Sequence, residues 1–200
     1  IMSKDFWDNR YSEQEFAYGI EPNQFLKQQI DKLDTGKVLF LGEGEGRNAV
    51  YASKLGWQVD AVDFSSSAMK KALKLANENG VSINYMVCDL NKYEFRINNY
   101  DLVVMIFLHL PIDLREKVFK SSINSLKLNG RLLVESFGKK QINNTSGGPK
   151  DVDLLFSLDD IKNITTNIKE ELLEDKTIFL NEGEYHKGKA DVIRYIGVKN

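Results

Sequence analysis

Lys37-Val38-Leu39-Phe40-Leu41-Gly42-Glu43-Gly44-Glu45-Gly46-Arg47-Asn48-Ala49 decides the fold. An apolar run breaks into three alternate glycines, and a small-residue pattern with helical spacing resumes after Arg47. A run of that length between breakers reads as a buried strand, so the segment is a strand, a tight turn and a helix. Glycine serves where the backbone takes conformations closed to other residues, or where a ligand approaches the main chain with no side chain between. A ligand is therefore expected over Gly42, Gly44 and Gly46.

Downstream, Trp57-Gln58-Val59-Asp60-Ala61-Val62-Asp63-Phe64-Ser65 reads as a second strand stopping at Asp63. An acid about 20 residues beyond a glycine turn is where nucleotide-binding α/β folds hold a ribose diol, because a carboxylate accepts from two neighbouring hydroxyls. The bland reading is that Asp63 or Ser65 caps the next helix; the two agree if Ser65 or Ser66 is the cap. A third strand, Asn84-Tyr85-Met86-Val87-Cys88-Asp89-Leu90, also runs to an acid, and a fourth spans Tyr100 to Phe107. Leu126-Lys127-Leu128-Asn129-Gly130 is a turn opening a fifth, Arg131 to Val134. A dinucleotide turn requires G-x-G-x-x-G. Here the third glycine comes one place early, which argues against a nicotinamide-dependent oxidoreductase.

Taken in order, these five segments resemble the class I S-adenosylmethionine-dependent methyltransferases, over about residues 37 to 137. The resemblance implies S-adenosyl-L-methionine as cofactor, with Asp63 on the ribose and Asp89 accepting from the adenine amino group. It extends to Gly42, Glu43, Gly44, Gly46, Asn48, Phe64, Ser65, Cys88, Leu90 and Phe107 as further cofactor contacts. Two positions depart from it. The family usually carries an acid where Phe40 stands, leaving Glu43 as the substitute near the methionine end, and its fifth-strand turn has Gly-Gly where this chain has Asn129-Gly130. Asn tolerates the left-handed region, so the second departure is mild.

Phe6, Trp7, Tyr11, Phe16 and Tyr18 make the segment before Gly19-Ile20-Glu21-Pro22-Asn23 unusually aromatic. Trp-Asp-x-Arg-Tyr followed by Tyr-Gly-x-Glu-Pro-Asn is similar to the lid of small-molecule methyltransferases of the thiopurine and tellurite-resistance groups. That likeness implies that Trp7, Tyr11 and Tyr18 cover the cofactor; the alternative is rings packed on the sheet's edge. A helix with Leu26, Ile30 and Leu33 on one face follows Pro22. The helix after Asp63 is expected to bury Ala68, Met69, Ala72, Leu73 and Ala76 and to end at Gly80. Another, between Asp113 and Leu126, buries Leu114, Val118 and Phe119 or Ser122. Strands alternating with helices give right-handed crossovers and a Rossmann-like, doubly wound sheet with helices on both faces. In the family it has seven strands, mostly parallel, the last antiparallel.

Residues 138–150 form a long loop beyond the fifth strand, read either as overhanging the site or as a solvated insertion. Ser157-Leu158-Asp159-Asp160 resembles a capping box opening a helix with Ile161, Ile164 and Ile168 inward. Two closing strands follow, Lys176–Leu180 and Asp191–Val198, joined by a polar loop. Two hundred residues with 42% hydrophobic content suit one domain: a lid and helix over 1–35, a cofactor-binding core over 36–137, and a substrate loop with closing strands over 138–200. The net charge of −2 gives no field for nucleic acid. The single cysteine, Cys88, fits a reducing compartment and leaves no cysteine-based zinc site. The histidines are too far apart in sequence for a metal site. No apolar run is long enough for a membrane span, and Ile1-Met2-Ser3-Lys4-Asp5 is not a signal peptide, so a cytoplasmic monomer or homodimer is expected.

Transfer of a sulfonium methyl group needs in-line positioning and exclusion of water, with a base only if the nucleophile starts protonated. The implied acceptor is a small thiol, chalcogen oxyanion or oxygen nucleophile. His109, at the end of the fourth strand, is the candidate to take a proton or bind the acceptor, or else it fixes its loop. Arg47 and His186 are candidate acceptor contacts, and so is Glu135 unless it is a buried polar group satisfied by its surroundings. A non-catalytic cofactor-binding domain is the alternative from another class.

Overall fold

Each apolar run expected to be a strand forms one. The computed structural model describes residues 4–200; the reading of the chain's opening also involves Ile1 to Ser3, which lie outside them. In chain order the elements are α1 (Lys4–Ser12), α2 (Gln24–Ile30), β1 (Lys37–Leu41), α3 (Arg47–Lys54), β2 (Gln58–Asp63), α4 (Ser66–Glu78), β3 (Asn84–Val87), β4 (Tyr100–Ile106), α5 (Ile112–Ser125), β5 (Leu126–Phe137), α6 (Leu158–Ile164), β6 (Lys169–Glu182) and β7 (His186–Val198). The seven strands form one sheet in the order β3-β2-β1-β4-β5-β7-β6, parallel except that β7 runs antiparallel to both neighbours.

β1 and β4 lie at the centre and are buried on both faces, which is why they read as unbroken apolar runs. Alternate residues feed two cores: Val38 and Phe40 pack with α2, α3 and α4, while Leu39 and Leu41 pack with α5 and α6. Phe40 is therefore a core residue, 1% exposed, and adds about 2 kcal/mol of apolar burial. Strand order reverses between β1 and β4, and the crevice beyond their carboxyl ends is the expected ligand position.

Ser65 caps α4, accepting from the Ala68 amide, and Ser157 and Asp160 make a reciprocal capping box on α6. Asn129 has φ 65°, the left-handed conformation expected of its turn. Several boundaries and facings differ from expectation. Leu73 is exposed and Met69 only half-buried, whereas Leu75 joins Ala68, Ala72 and Ala76 in the core; the buried stripe lies one position round from the one inferred. Ile168 is buried but lies beyond α6, which stops at Ile164. β6 begins seven residues before Lys176, its charged exposed face having hidden the strand period. The expected loop between the closing strands is only a tight turn, so His186 is the first residue of β7. Residues 138–150 are not a solvated insertion: Gln141 is fully buried, its amide bonded to Ser146 and Gly147 and its carbonyl to the Asp191 backbone.

Candidate functional site

The glycine turn is tied down from three sides. The Gly42 amide donates to Val62 at the end of β2 (2.8 Å), the Gly44 amide to the Asp63 carboxylate (3.0 Å), and Tyr85 from β3 donates to the Gly44 carbonyl (2.7 Å). The second oxygen of Asp63 accepts from the Ser65 amide at 2.9 Å. Burial pushes the Asp63 carboxyl up to about 6, against the pull of the Ser65 and Gly44 amides. Gly46 enters α3 with φ 88°, and a Cβ there would stand 2.6 Å from the Cβ of Ala72 on α4.

Neither glutamate of the turn points freely into solvent. Glu45 accepts from the Ala17 amide (2.8 Å) and pairs with Lys71 (2.7 Å), which holds the lid segment to α4. Glu43 turns back onto the start of α3 and accepts from the Ala49 amide at 2.7 Å. Burial pushes its carboxyl up to about 8, opposed by the Ala49 amide, Arg47 and the Asn48 amide. Folded protein therefore holds a proton on Glu43 that unfolded chain releases above about 4.5. The stability this contributes is complete below about 4.5 and is lost as pH rises through about 8. His109, lowered to about 4, acts in the opposite sense only below its ordinary value near 6.5, and Asp63 has mostly titrated by then. Between about pH 6.5 and 8, stability should fall by up to about 1.4 kcal/mol per pH unit, and E43Q should flatten that slope in denaturant titrations. An equal slope in the variant would locate the proton elsewhere.

α1 lies across this turn. Trp7 stacks on Tyr11 with centroids 5.4 Å apart, and the Tyr11 hydroxyl sits 2.9 Å from where a Gly44 Cβ would be. Asp8 accepts from the Ser65 hydroxyl at 2.5 Å and the Ser67 amide at 3.3 Å, fastening α1 to the start of α4. Arg10 donates to the Tyr18 hydroxyl (3.1 Å) and lies 4.0 Å over the Tyr185 ring. The rings thus roof the crevice, away from the sheet's edge.

Beneath them is a cleft of about 520 Å³. Gly42, Glu43, Gly44, Arg47, Asn48, Asp63 and Phe64 line one end, with Cys88, Asp89 and Leu90 beyond β3. Trp7, Tyr11 and Tyr18 cover it, and Phe107, His109 and His186 line the opposite end. Asp89 lies two residues past β3; one of its oxygens accepts from the Asn91 amide at 2.8 Å. Phe107 takes φ 52°, a conformation rare for a bulky residue and typical of functional sites. The His109 Nδ1 lies 2.9 Å from the Leu154 carbonyl, which only accepts, so Nδ1 carries the proton and Nε2 the lone pair; Nε2 is buried without a hydrogen-bond partner among the described residues. Burial holds this imidazole neutral, down to about 4. His186 lies among Tyr18 (4.4 Å), Phe107 (4.6 Å) and Phe137 (5.3 Å), with Nδ1 3.4 Å from Glu182. Glu182, held near 2 chiefly by His186 and Arg47 against its own burial, also binds Arg47 at 2.8 Å.

Three expected contacts stand outside the cleft lining. Ser65 is consumed by its cap and by Asp8, and Gly46 by helix packing. Glu135 is buried between Asn23 (2.7 Å) and Arg194 (2.5 Å). Gly148 and Pro149 line the cleft, so the loop over 138–150 does overhang it as one of its two readings had it, whereas sequence reasoning missed Arg10, Tyr85 and Glu182. Arg10 stands inside a quoted lid pattern; Glu182 shows no sequence signal, because only the β6–β7 register pairs it with His186. Among the described residues no cluster of His, Cys, Asp and Glu suits a metal, and no helix is long and apolar enough to cross a membrane.

The profile of a methyltransferase domain matches residues 38–130. Phosphoethanolamine N-methyltransferase 2 of Caenorhabditis elegans is 31% identical over 127 residues, 60% of this chain and 28% of that protein. A probable S-adenosyl-L-methionine-dependent methyltransferase, TehB of Haemophilus influenzae, is 27% identical over 100 residues, 49% of this chain and 35% of it. The matches thus span only about a third of these relatives. The crystal structure of TehB from Haemophilus influenzae superposes with TM-score 0.74 at 17% identity, covering 98% of this chain and 67% of that one. A structure described under conversion of a disulfide bond into a thioacetal group during echinomycin biosynthesis gives 0.80 at 15% identity, covering 98% and 92%. Residues 38–130 thus match a methyltransferase domain, and the chain is similar to S-adenosyl-L-methionine-dependent methyltransferases, a likeness that implies S-adenosyl-L-methionine as the cofactor.

Proposed function

We propose that this chain transfers a methyl group to a small acceptor: a thiol, a chalcogen oxyanion or an oxygen nucleophile. The observation that supports this most is a single roofed cleft with the glycine turn, Asp63 and Asp89 at one end and two neutral imidazoles among aromatic rings at the other. Its volume suits a cofactor with a small co-substrate. Gly42 and Gly44 would present backbone to the methionine end, Asp63 the ribose acceptors, Phe64 and Leu90 the faces of the adenine pocket, and Asp89 its remaining carboxylate oxygen to the adenine amino group. Trp7, Tyr11 and Tyr18 would exclude water. When bound, S-adenosyl-L-methionine supplies a methyl group whose leaving group is a neutral thioether, so no side chain has to protonate it.

The acceptor end has to orient a nucleophile and receive its proton where it has one. His186 suits this: Glu182 fixes Nδ1, and the neighbouring rings hold the imidazole plane. Arg10 has no carboxylate partner among the described residues and would meet an anion there. We read the chain as one domain, acting as a cytoplasmic monomer or homodimer. Formation of S-adenosylhomocysteine should be followed with thiols and with selenite and tellurite as acceptors. His186→Phe, which keeps the ring packing, should lower kcat/KM about 100-fold while cofactor Kd changes less than about twofold. Tight cofactor binding with no acceptor turned over would favour the non-catalytic reading.

A further inference from the structure

Two acids stand in the glycine turn, and they are treated differently by the fold. Glu45 is neutralised by Lys71 at 2.7 Å, while Glu43 makes no salt bridge among the described residues. Glu43 nevertheless lines the cleft, 9% exposed, with its carboxyl seated on the first turn of α3. The charged group of α3 that faces it, Arg47, is already bound to Glu182 at 2.8 Å. A buried carboxyl set against a ligand cleft without a cation of its own is a place for a cation that arrives with the ligand.

Resting on the cofactor assignment above, we propose that Glu43 is a proton-exchanging counter-charge for the cofactor's sulfonium. It is a neutral carboxyl in the ligand-free cleft and ionises when the sulfonium enters. It recovers a proton from water once methyl transfer leaves a neutral thioether. On capture, the carboxyl O–H breaks and its proton goes to buffer. On transfer, the acceptor's lone pair forms the new bond to the methyl carbon, and the electron pair of the broken C–S bond stays on sulfur. Glu43 is then reprotonated, so it adds no net proton to a turnover. The product complex thereby loses the ion pair that held the substrate complex together, which favours release of the spent cofactor.

The other titratable groups facing Glu43 do not compete for this role near neutrality. Asp63 of β2, at about 6, has largely ionised, and burial keeps the phenols of Tyr11 on α1 and Tyr85 on β3 protonated. A unit positive charge about 6 Å from a carboxylate, at an effective dielectric constant of about 20, favours its ionised form about a hundredfold. Starting from a carboxyl that titrates at about 8, this releases about 0.7 proton per cofactor bound at about pH 7.5.

Calorimetric titrations in two buffers of different ionisation enthalpy count that proton directly. Wild type should release about 0.7 proton on binding S-adenosylmethionine and at most about a third of that on binding S-adenosylhomocysteine, whose sulfur is uncharged. E43Q, whose amide oxygen can still accept from Ala49, should release almost none. No release from wild type, equal release with the two ligands, or full release from E43Q would overturn the proposal while leaving the cofactor assignment intact. If neither ligand bound, both would fall together. The wild-type comparison decides the matter even if E43Q does not fold.

Discussion

Asp63→Ala should weaken S-adenosylmethionine binding by at least about 100-fold, or about 2.7 kcal/mol, and should destabilise the ligand-free protein as well. Both effects follow from what the carboxylate does in the fold. It accepts from the Gly44 amide at 3.0 Å and the Ser65 amide at 2.9 Å, so its removal strands two buried donors, each at about 1–3 kcal/mol. The loss is partly offset, because Asp63 itself is strained by burial, as its rise to about 6 records. The net expectation is a stability loss of about 2–3 kcal/mol, together with a glycine turn no longer aligned on β2. Asp63→Asn is not the mild alternative it looks. One of its two terminal atoms is a donor, and it would face a backbone N–H whichever way the amide turned. Calorimetry should therefore find both variants impaired; Asp63→Asn binding within threefold of wild type would remove Asp63 from the ribose site and leave it a purely structural cap.

The central strands, the glycine turn and the acids at the strand ends were legible because each is a local pattern. An apolar run buried on both faces, a glycine where no side chain fits, and an acid just past a strand are all written within a few consecutive residues. The resemblance to a known family then supplied the ligand that such patterns leave open. What the sequence hid was pairing across distance. Glu135 looked like a candidate at the end of a strand, yet Asn23 and Arg194, 112 and 59 residues away in the chain, occupy it. Glu182 acquires its role only because the β6–β7 hairpin sets it beside His186 and the fold brings Arg47 to the same oxygen. Even Glu43, whose position in the turn drew notice, gave no hint that its carboxyl folds back onto α3. β6 was half missed for a related reason: its exposed edge carries Glu170, Glu171, Glu174 and Asp175, which protect a free sheet edge from pairing and also mask the strand period.

Gly46→Ala should be among the most damaging small substitutions in the chain, although it adds one methyl group. Two terms combine. The residue sits at φ 88°, where an L-residue pays about 1–2 kcal/mol. The new Cβ would also lie 2.6 Å from the Cβ and 2.8 Å from the Cα of Ala72, and a backbone carbon of α4 cannot turn aside as a flexible side chain can. Overpacking of this kind adds about 1–3 kcal/mol, so about 3 kcal/mol in all, or a fall in Tm of about 6–12 °C for a chain of this length. Gly80 separates the two terms. It has φ 66° with nothing within 4 Å of a built Cβ, so Gly80→Ala should show the backbone term alone, about 1 kcal/mol. The difference between the variants then measures how tightly α3 is pressed against α4 beneath the glycine turn. That contact matters beyond stability, because the start of α3 holds Glu43 through the Ala49 amide and α4 is capped by Ser65, which Asp8 of the lid helix grips. Gly46→Ala should accordingly weaken cofactor binding more than its loss of stability accounts for, whereas Gly80→Ala should leave binding unchanged. Equal and mild effects from both would mean that the two helices can separate without disturbing the site.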